Sequence, residues 1–207
     1  MEGRMAYWYA ATTRKSLDEF RALAERVAAD LPPESRVLEV APGPGYFAVE
    51  LARLGYSVTG LDISKTCVEI ATANTGAAGV PVRFEQGDAA NQPFADESFD
   101  FVLCRAAFKN FSQPVRALQE MRRVLKPGGK GLLIDLRKDA SRDEVRRMVD
   151  GMGLSPLNRL ITRLTFRLML LKRAYTEAQF REFFAQANFS SVELRKSGVG
   201  FEIAFQR

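Results

Sequence analysis

Glu39 closes an apolar run, Val37-Leu38-Glu39-Val40, that leads directly into Ala41-Pro42-Gly43-Pro44-Gly45. Glycines at such a turn let a backbone bend tightly and approach a ligand closely. Gly43-x-Gly45-x-x-Ala48, with Asp62 about twenty residues further on, fits the dinucleotide fingerprint taken alone. Glu39 argues against a pyrophosphate there, because that group needs backbone donors and no nearby negative charge. Two like charges about 6 Å apart, at an effective dielectric of about 20, repel by about 3 kcal/mol. Pro44 also removes one N–H from the loop. A carboxylate in this place suits a ligand carrying an ammonium and a sulfonium, and the loop is read as a site for S-adenosylmethionine rather than NAD.

Other chemistries are excluded by composition. The 207 residues contain no histidine, the commonest general base near neutral pH. Ser-His-Asp hydrolysis, two-histidine zinc motifs and histidine-dependent O-methylation are therefore ruled out. Cys67 and Cys104 are too few for a thiol-rich metal site and read as small buried hydrophobes in a reducing cytoplasm. No metal site is expected. Met1-Glu2-Gly3-Arg4 leads into aromatics and charges, so no signal peptide is read there. A net charge of +5 is compatible with nucleic acid, anionic lipid or an acidic substrate and selects none of them.

Helix and strand signals alternate along most of the chain, as for a parallel sheet covered by helices. Ser16 opens a capping box before a helix whose inner face is Phe20, Leu23, Ala24 and Val27. Strands are read at 36–40, 57–61, 82–86, 99–104 and 130–136. The intervening helices cover 47–54, 64–74 and 112–125, the last stopped by Pro127-Gly128-Gly129. Beyond the fifth strand, Ser141 and Thr176 open further capping boxes, and a helix runs from about 157 to 172. The runs 191–196 and 200–206 read as an antiparallel pair closing the sheet. The predicted fold is α/β and Rossmann-like: a mainly parallel seven-stranded sheet with an antiparallel last strand and helices on both faces. One domain spans 1–207, with a helical lid inserted at about 139–175.

With the strands placed, Glu39, Asp62, Asp88 and Cys104 fall at the carboxyl ends of four parallel strands, where open α/β sheets bind ligands. Asp62 can accept from both ribose hydroxyls, and Ile63 suits an adenine face. Asp88 can accept from the exocyclic adenine amine, while the Ala89 N–H donates to the ring.

This ordered set resembles the class I S-adenosylmethionine-dependent methyltransferases, in particular the ubiquinone and menaquinone biosynthesis C-methyltransferases. The resemblance is carried by Leu38 to Gly45, Gly60-Leu61-Asp62-Ile63-Ser64, Gly87 to Phe94, Ser98 to Val102, and Glu120 to Gly129. It implies that Glu39, Ala41, Gly43 and Gly45 hold the methionine part of the cofactor, Asp62 and Ile63 the ribose and adenine, and Asp88 and Ala89 the adenine. The Cys104 carbonyl would face the ammonium. The family's first loop glycine is Ala41 here. The segment after the fourth strand, which in the family usually holds one or two histidines, reads Arg105-Ala106-Ala107-Phe108-Lys109-Asn110-Phe111.

Methyl transfer from a sulfonium has a good leaving group, and orientation alone can contribute about 7–11 kcal/mol. A histidine base is dispensable for an acceptor that is already nucleophilic, and no catalytic residue is singled out. Arg105, Phe108 and Lys109 are candidates for the acceptor side; either cation could hold an acceptor anionic by lowering its pKa. Arg159, Arg163 and Arg167 form one stripe of the 157–173 helix, and Leu160, Leu164, Leu168 and Leu171 the neighbouring one. As a lid, this helix would bring Leu164 and Leu168 to an apolar or aromatic small-molecule acceptor; the alternative is contact with a membrane surface. Tyr7-Trp8-Tyr9 either closes over the cofactor or staples the first helix. RNA methylation and a non-catalytic binding module are the competing functions, and nucleic acid is not the expected partner. The oligomeric state is left open.

Overall fold

A computed structural model describes residues 1–207. The N-terminal helices α1 (Arg4–Thr13) and α2 (Leu17–Ala28) precede β1 (Arg36–Val40), α3 (Tyr46–Arg53), β2 (Ser57–Asp62), α4 (Lys65–Ala78) and β3 (Val82–Gln86). Then come β4 (Phe99–Arg105), α5 (Pro114–Val124) and β5 (Leu125–Leu136). The insert is α6 (Arg142–Asp150), α7 (Pro156–Thr165), a π-helical turn Phe166–Leu170 and α8 (Leu171–Arg173). α9 (Glu177–Ala187), β6 (Ser191–Ser197) and β7 (Gly200–Gln206) complete the chain.

The seven strands lie in the order β3-β2-β1-β4-β5-β7-β6. β7 alone runs antiparallel, to both β5 and β6. Alternate side chains enter opposite layers, as a pleated strand dictates. On one face Leu38, Val40, Val102 and Leu133 pack against Leu118 and Met121 of α5 and Phe180 and Phe184 of α9. On the other, Val37, Val58, Phe101 and Leu103 meet Phe20, Leu23 and Val27 of α2 and Phe47 and Leu51 of α3. Each fully buried side chain of this kind contributes about 1.5–3 kcal/mol. These two layers hold the sheet, whereas α7 buries none of its residues and adds little to it.

Three local expectations are corrected and one helix is added. Ser16 makes no cap, because Arg14–Ser16 is a 3-10 turn that joins α1 to α2 almost without a break. The N-terminal aromatics lie on a helix that apolar periodicity does not reveal, since its buried residues are only Ala6 and Ala10. The helix capped by Ser64 continues to Ala78 and ends on a left-handed Gly79. Pro127-Gly128-Gly129 lies inside β5 as an irregularity: Leu125 pairs with Phe99, but Lys130 with Phe101. The capping boxes at Ser141 and Thr176 form as read.

Candidate functional site

Glu39 is the penultimate residue of β1, its side chain buried and reached by the Ala48 N–H in the first turn of α3. Burial pushes its carboxyl up to about 8, while the Arg105 guanidinium and the Ala48 N–H pull it down. Its Oε2 has no hydrogen-bond partner. A buried, unpartnered carboxylate oxygen is costly unless a cation or donor reaches it. An ammonium is the group that satisfies it, so the residues present fit S-adenosylmethionine at this end of the site.

The loop after β1 is held open by its backbone. Ala41, Gly43 and Gly45 have φ of 57°, 57° and 75°. A Cβ at Gly45 would lie 2.9 Å from the Ala71 Cβ and 3.0 Å from Phe84, so only glycine fits. Ala41 adopts the same left-handed region with a Cβ, at a cost of about 1–2 kcal/mol. Its N–H donates to the Leu61 carbonyl at 2.7 Å, which helps hold the turn.

Asp62 ends β2 and ties the loop down. Gly43 N–H donates to its Oδ2 at 3.0 Å and Ser64 N–H to its Oδ1 at 2.9 Å. Burial raises its pKa against those two bonds. Each oxygen keeps a second lone pair, so two hydroxyls can still be accepted. Asp88, after β3, accepts the Ala90 N–H at 2.9 Å. Ile63, Asp88, Ala89, Ala41, Leu61 and Phe111 line one cavity of about 100 Å³, with Asn110, Ser112 and Gln113 on its far wall. Phe111 and these polar neighbours were not anticipated, because loop residues carry no periodicity that assigns them a side. The Glu120-Met121-Arg122-Arg123 motif acts at a distance: Arg123 donates to the carbonyls of Gln92 and Phe94 and pairs with Glu120 and Asp96. That network anchors the segment following Asp88.

Cys104 sits at the end of β4 opposite Val40, its thiol buried and pushed well up by burial and by Asp135. The three acceptor-side candidates beyond it separate. Phe108 is wholly buried, stacked on Phe180 at 5.7 Å, so it belongs to the core rather than to an acceptor surface. Lys109 is turned inward: its ammonium meets Asp135 Oδ1 at 3.0 Å and its own N–H donates to Asp135 Oδ2 at 2.8 Å. Arg105 remains partly exposed, 4.5 Å over the Phe20 ring and 3.4 Å from Glu19. It lines a groove of about 330 Å³ with Leu23, Arg26, Ile134 and Glu202.

The N-terminal helix lies against the loop. A Cβ at Gly43 would come within 3.4 Å of the Tyr9 ring, and Tyr46 donates to the Ala10 carbonyl at 3.0 Å. Glu2 accepts the Lys65 and Thr66 N–H groups at the start of α4. Tyr7 and Trp8 are exposed. The insert does not pack down on the strand ends: α7 rests on α6, and Leu164 and Leu168 are 44% and 53% exposed. No helix is long and apolar enough to cross a membrane.

Comparison with known proteins follows the same division. Residues 38–133 match the family described as "Methyltransferase domain". The demethylmenaquinone methyltransferase of Deinococcus radiodurans is 40% identical over 123 residues, which cover 58% of this chain and 50% of that protein. The ubiquinone/menaquinone biosynthesis C-methyltransferase UbiE of Geotalea daltonii is 35% identical over 108 residues, 50% of this chain and 46% of its own. The chain thus spans about half the length of the curated relatives it matches. A SAM-dependent methyltransferase of Aquifex aeolicus shares the fold, with a TM-score of 0.69 at 19% identity over 92% of this chain and 97% of that one. Residues 38–133 thus match a methyltransferase domain, and the chain resembles the class I S-adenosylmethionine-dependent methyltransferases and, among them, the quinone-methylating relatives.

Proposed function

We propose that the protein methylates a small, apolar, quinone-type acceptor, by alignment of the reactants and without a histidine base. The observation that carries the reading is the unpartnered Glu39 oxygen beneath the glycine loop, with Asp62 and Asp88 at the next strand ends. When bound, S-adenosylmethionine supplies a methyl group activated on a sulfonium. Glu39 accepts the ammonium and Asp62 the ribose hydroxyls; Asp88 and the Ala89 N–H read the adenine edge. The Cys104 carbonyl, at the end of β4, is a second acceptor for the ammonium.

Arg105 is the cation left to the acceptor, since Lys109 is committed to Asp135. It lowers the pKa of an acidic acceptor and so raises the fraction of nucleophile. Its groove mixes the apolar Ala22, Leu23 and Ile134 with the charged Glu19, Arg26 and Glu202. The acceptors named for the relatives support the quinone class.

The test is methyl transfer from labelled S-adenosylmethionine to a membrane-lipid extract, a demethylated quinone and bulk RNA, followed by identification of the product. Label in the quinone or a comparable apolar molecule supports the proposal, and label in RNA alone refutes it. The rate of the chemical step should follow the acceptor's own pKa. One inflection near pH 6–7, common to acceptors of different pKa, would require an enzyme base and refute the mechanism.

A further inference from the structure

The helix spanning residues 156–173 leaves a continuous apolar stripe uncovered. Leu157, Leu160, Ile161, Leu164 and Leu168 are 44–66% exposed, and Met169 is 62% exposed. Their spacing places Leu157, Ile161, Leu164 and Leu168 on one face. Nearly half of the chain's large exposed hydrophobic side chains therefore sit on this one helix. An apolar surface of this extent is uncommon on a protein that meets only water.

The charge beside it is one-sided. Residues 151–175 contain Arg159, Arg163, Arg167, Lys172 and Arg173 and no acid. These five cations equal the net charge of the whole chain, so the rest of the protein is balanced. Arg159 and Arg163 turn towards Asp150 of α6. Arg167, Lys172 and Arg173 are exposed and make no ion pair. Leucines flanked by unpaired cations, on a helix too short to span, have the composition of a segment that lies in a membrane interface. A neutral apolar partner would leave those cations without counter-charge, and a second copy would bring like charges together.

We infer that this helix docks the protein on an anionic bilayer surface, its leucine stripe among the acyl chains and its cations at the head groups. The inference rests on the exposed face and its charge, and it stands whether or not the acceptor is a quinone. The insert that carries the helix leaves and rejoins the sheet at the carboxyl end of β5, where Arg137 pairs with Tyr175, the side on which Glu39 and Asp62 lie. A lipid-dissolved acceptor would then reach the site from the bilayer rather than from water.

The experiment is co-sedimentation of the full chain with vesicles of phosphatidylcholine alone or with roughly one third phosphatidylglycerol, at low and high salt. Wild type should bind only the anionic vesicles and be released by salt. Arg167→Gln, Lys172→Gln and Arg173→Gln together should lower the partition coefficient roughly 100-fold, at about fivefold per charge. Leu157→Ser with Ile161→Ser should abolish binding to the same vesicles. S-adenosylmethionine affinity should be unchanged in both variants, showing that each is folded. Equal binding to both vesicle types, or none to either, would overturn the inference. So would concentration-dependent dimerisation of wild type that the leucine variant loses, because a second copy would then be the occupant.

Discussion

The glycine-loop half of the molecule and the insert after β5 solve opposite problems with similar residues. In the first, charged groups are buried and almost all are tied: Asp62 accepts two backbone N–H groups, and Arg123 holds two carbonyls and two carboxylates. Two buried side-chain oxygens there lack a partner, Gln92 Oε1 and Glu39 Oε2, and of these only the carboxylate oxygen calls for a cation. In the insert large apolar groups are exposed, the Nε atoms of Arg159 and Arg163 lack partners, and the ion pairs to Asp150 lie at the surface. A buried region whose one unanswered charge is a carboxylate is specific for a cationic ligand. A region with an exposed apolar face is specific for a kind of surface.

If that contrast is right, substitutions in the loop should be costly and those in the insert cheap. The largest effect is expected for Gly45→Ala. A left-handed φ costs about 1–2 kcal/mol with a Cβ, and the clash with Ala71 and Phe84 about 1–3 more. Thermal or urea unfolding should show a loss of several kcal/mol, and an unchanged midpoint would break the packing account. Asp62→Ala comes next: S-adenosylmethionine affinity should fall by about 1–3 kcal/mol, roughly 5- to 150-fold by calorimetry. A smaller, opposite effect is expected for Ala41→Gly, which relieves the left-handed strain but loosens the unfolded chain. It should stabilise by about 1 kcal/mol or less and leave cofactor affinity intact. Least of all, Asp150→Asn removes pairs whose partners are each more than a third exposed, and should cost no more than about 1 kcal/mol. Global unfolding of that variant would erase the distinction between the two regions.

The same contrast explains what could be read before the structure. β1, β3 and β7 were delimited as found, because their apolar runs are bounded by proline, glycine and polar residues. The placement of Glu39, Asp62 and Asp88 at or just past strand ends was legible because strand ends follow from strand limits. Phe108 was misplaced for the opposite reason: in a loop nothing periodic distinguishes a core phenylalanine from one facing a ligand, and only α9 arriving from far along the chain buries it. Lys109 was illegible likewise, since Asp135 comes to it from the next strand. The first helix escaped notice because alanines, not large residues, make its contacts with Cys67 and Ile70. The leucines of α7 were identified correctly as a face. What covers a face lies outside the sequence.

Glu39 also makes a prediction about pH. Its folded pKa, about 8, stands above the ordinary 4.5, so the free protein gains from it fully below pH 4.5 and loses that stability as the pH rises towards 8. Glu39→Gln should therefore match wild type near pH 4.5 and melt at a higher temperature at pH 8–9. The most direct test of the central claim is a calorimetric titration of wild type and Glu39→Gln with S-adenosylmethionine and with NAD. The buried carboxylate as the seat of the ammonium requires micromolar binding of S-adenosylmethionine to wild type, at least a tenfold loss in the variant, and no NAD binding to either. Equal S-adenosylmethionine affinity in the two proteins, or NAD binding as tight as S-adenosylmethionine, would contradict it.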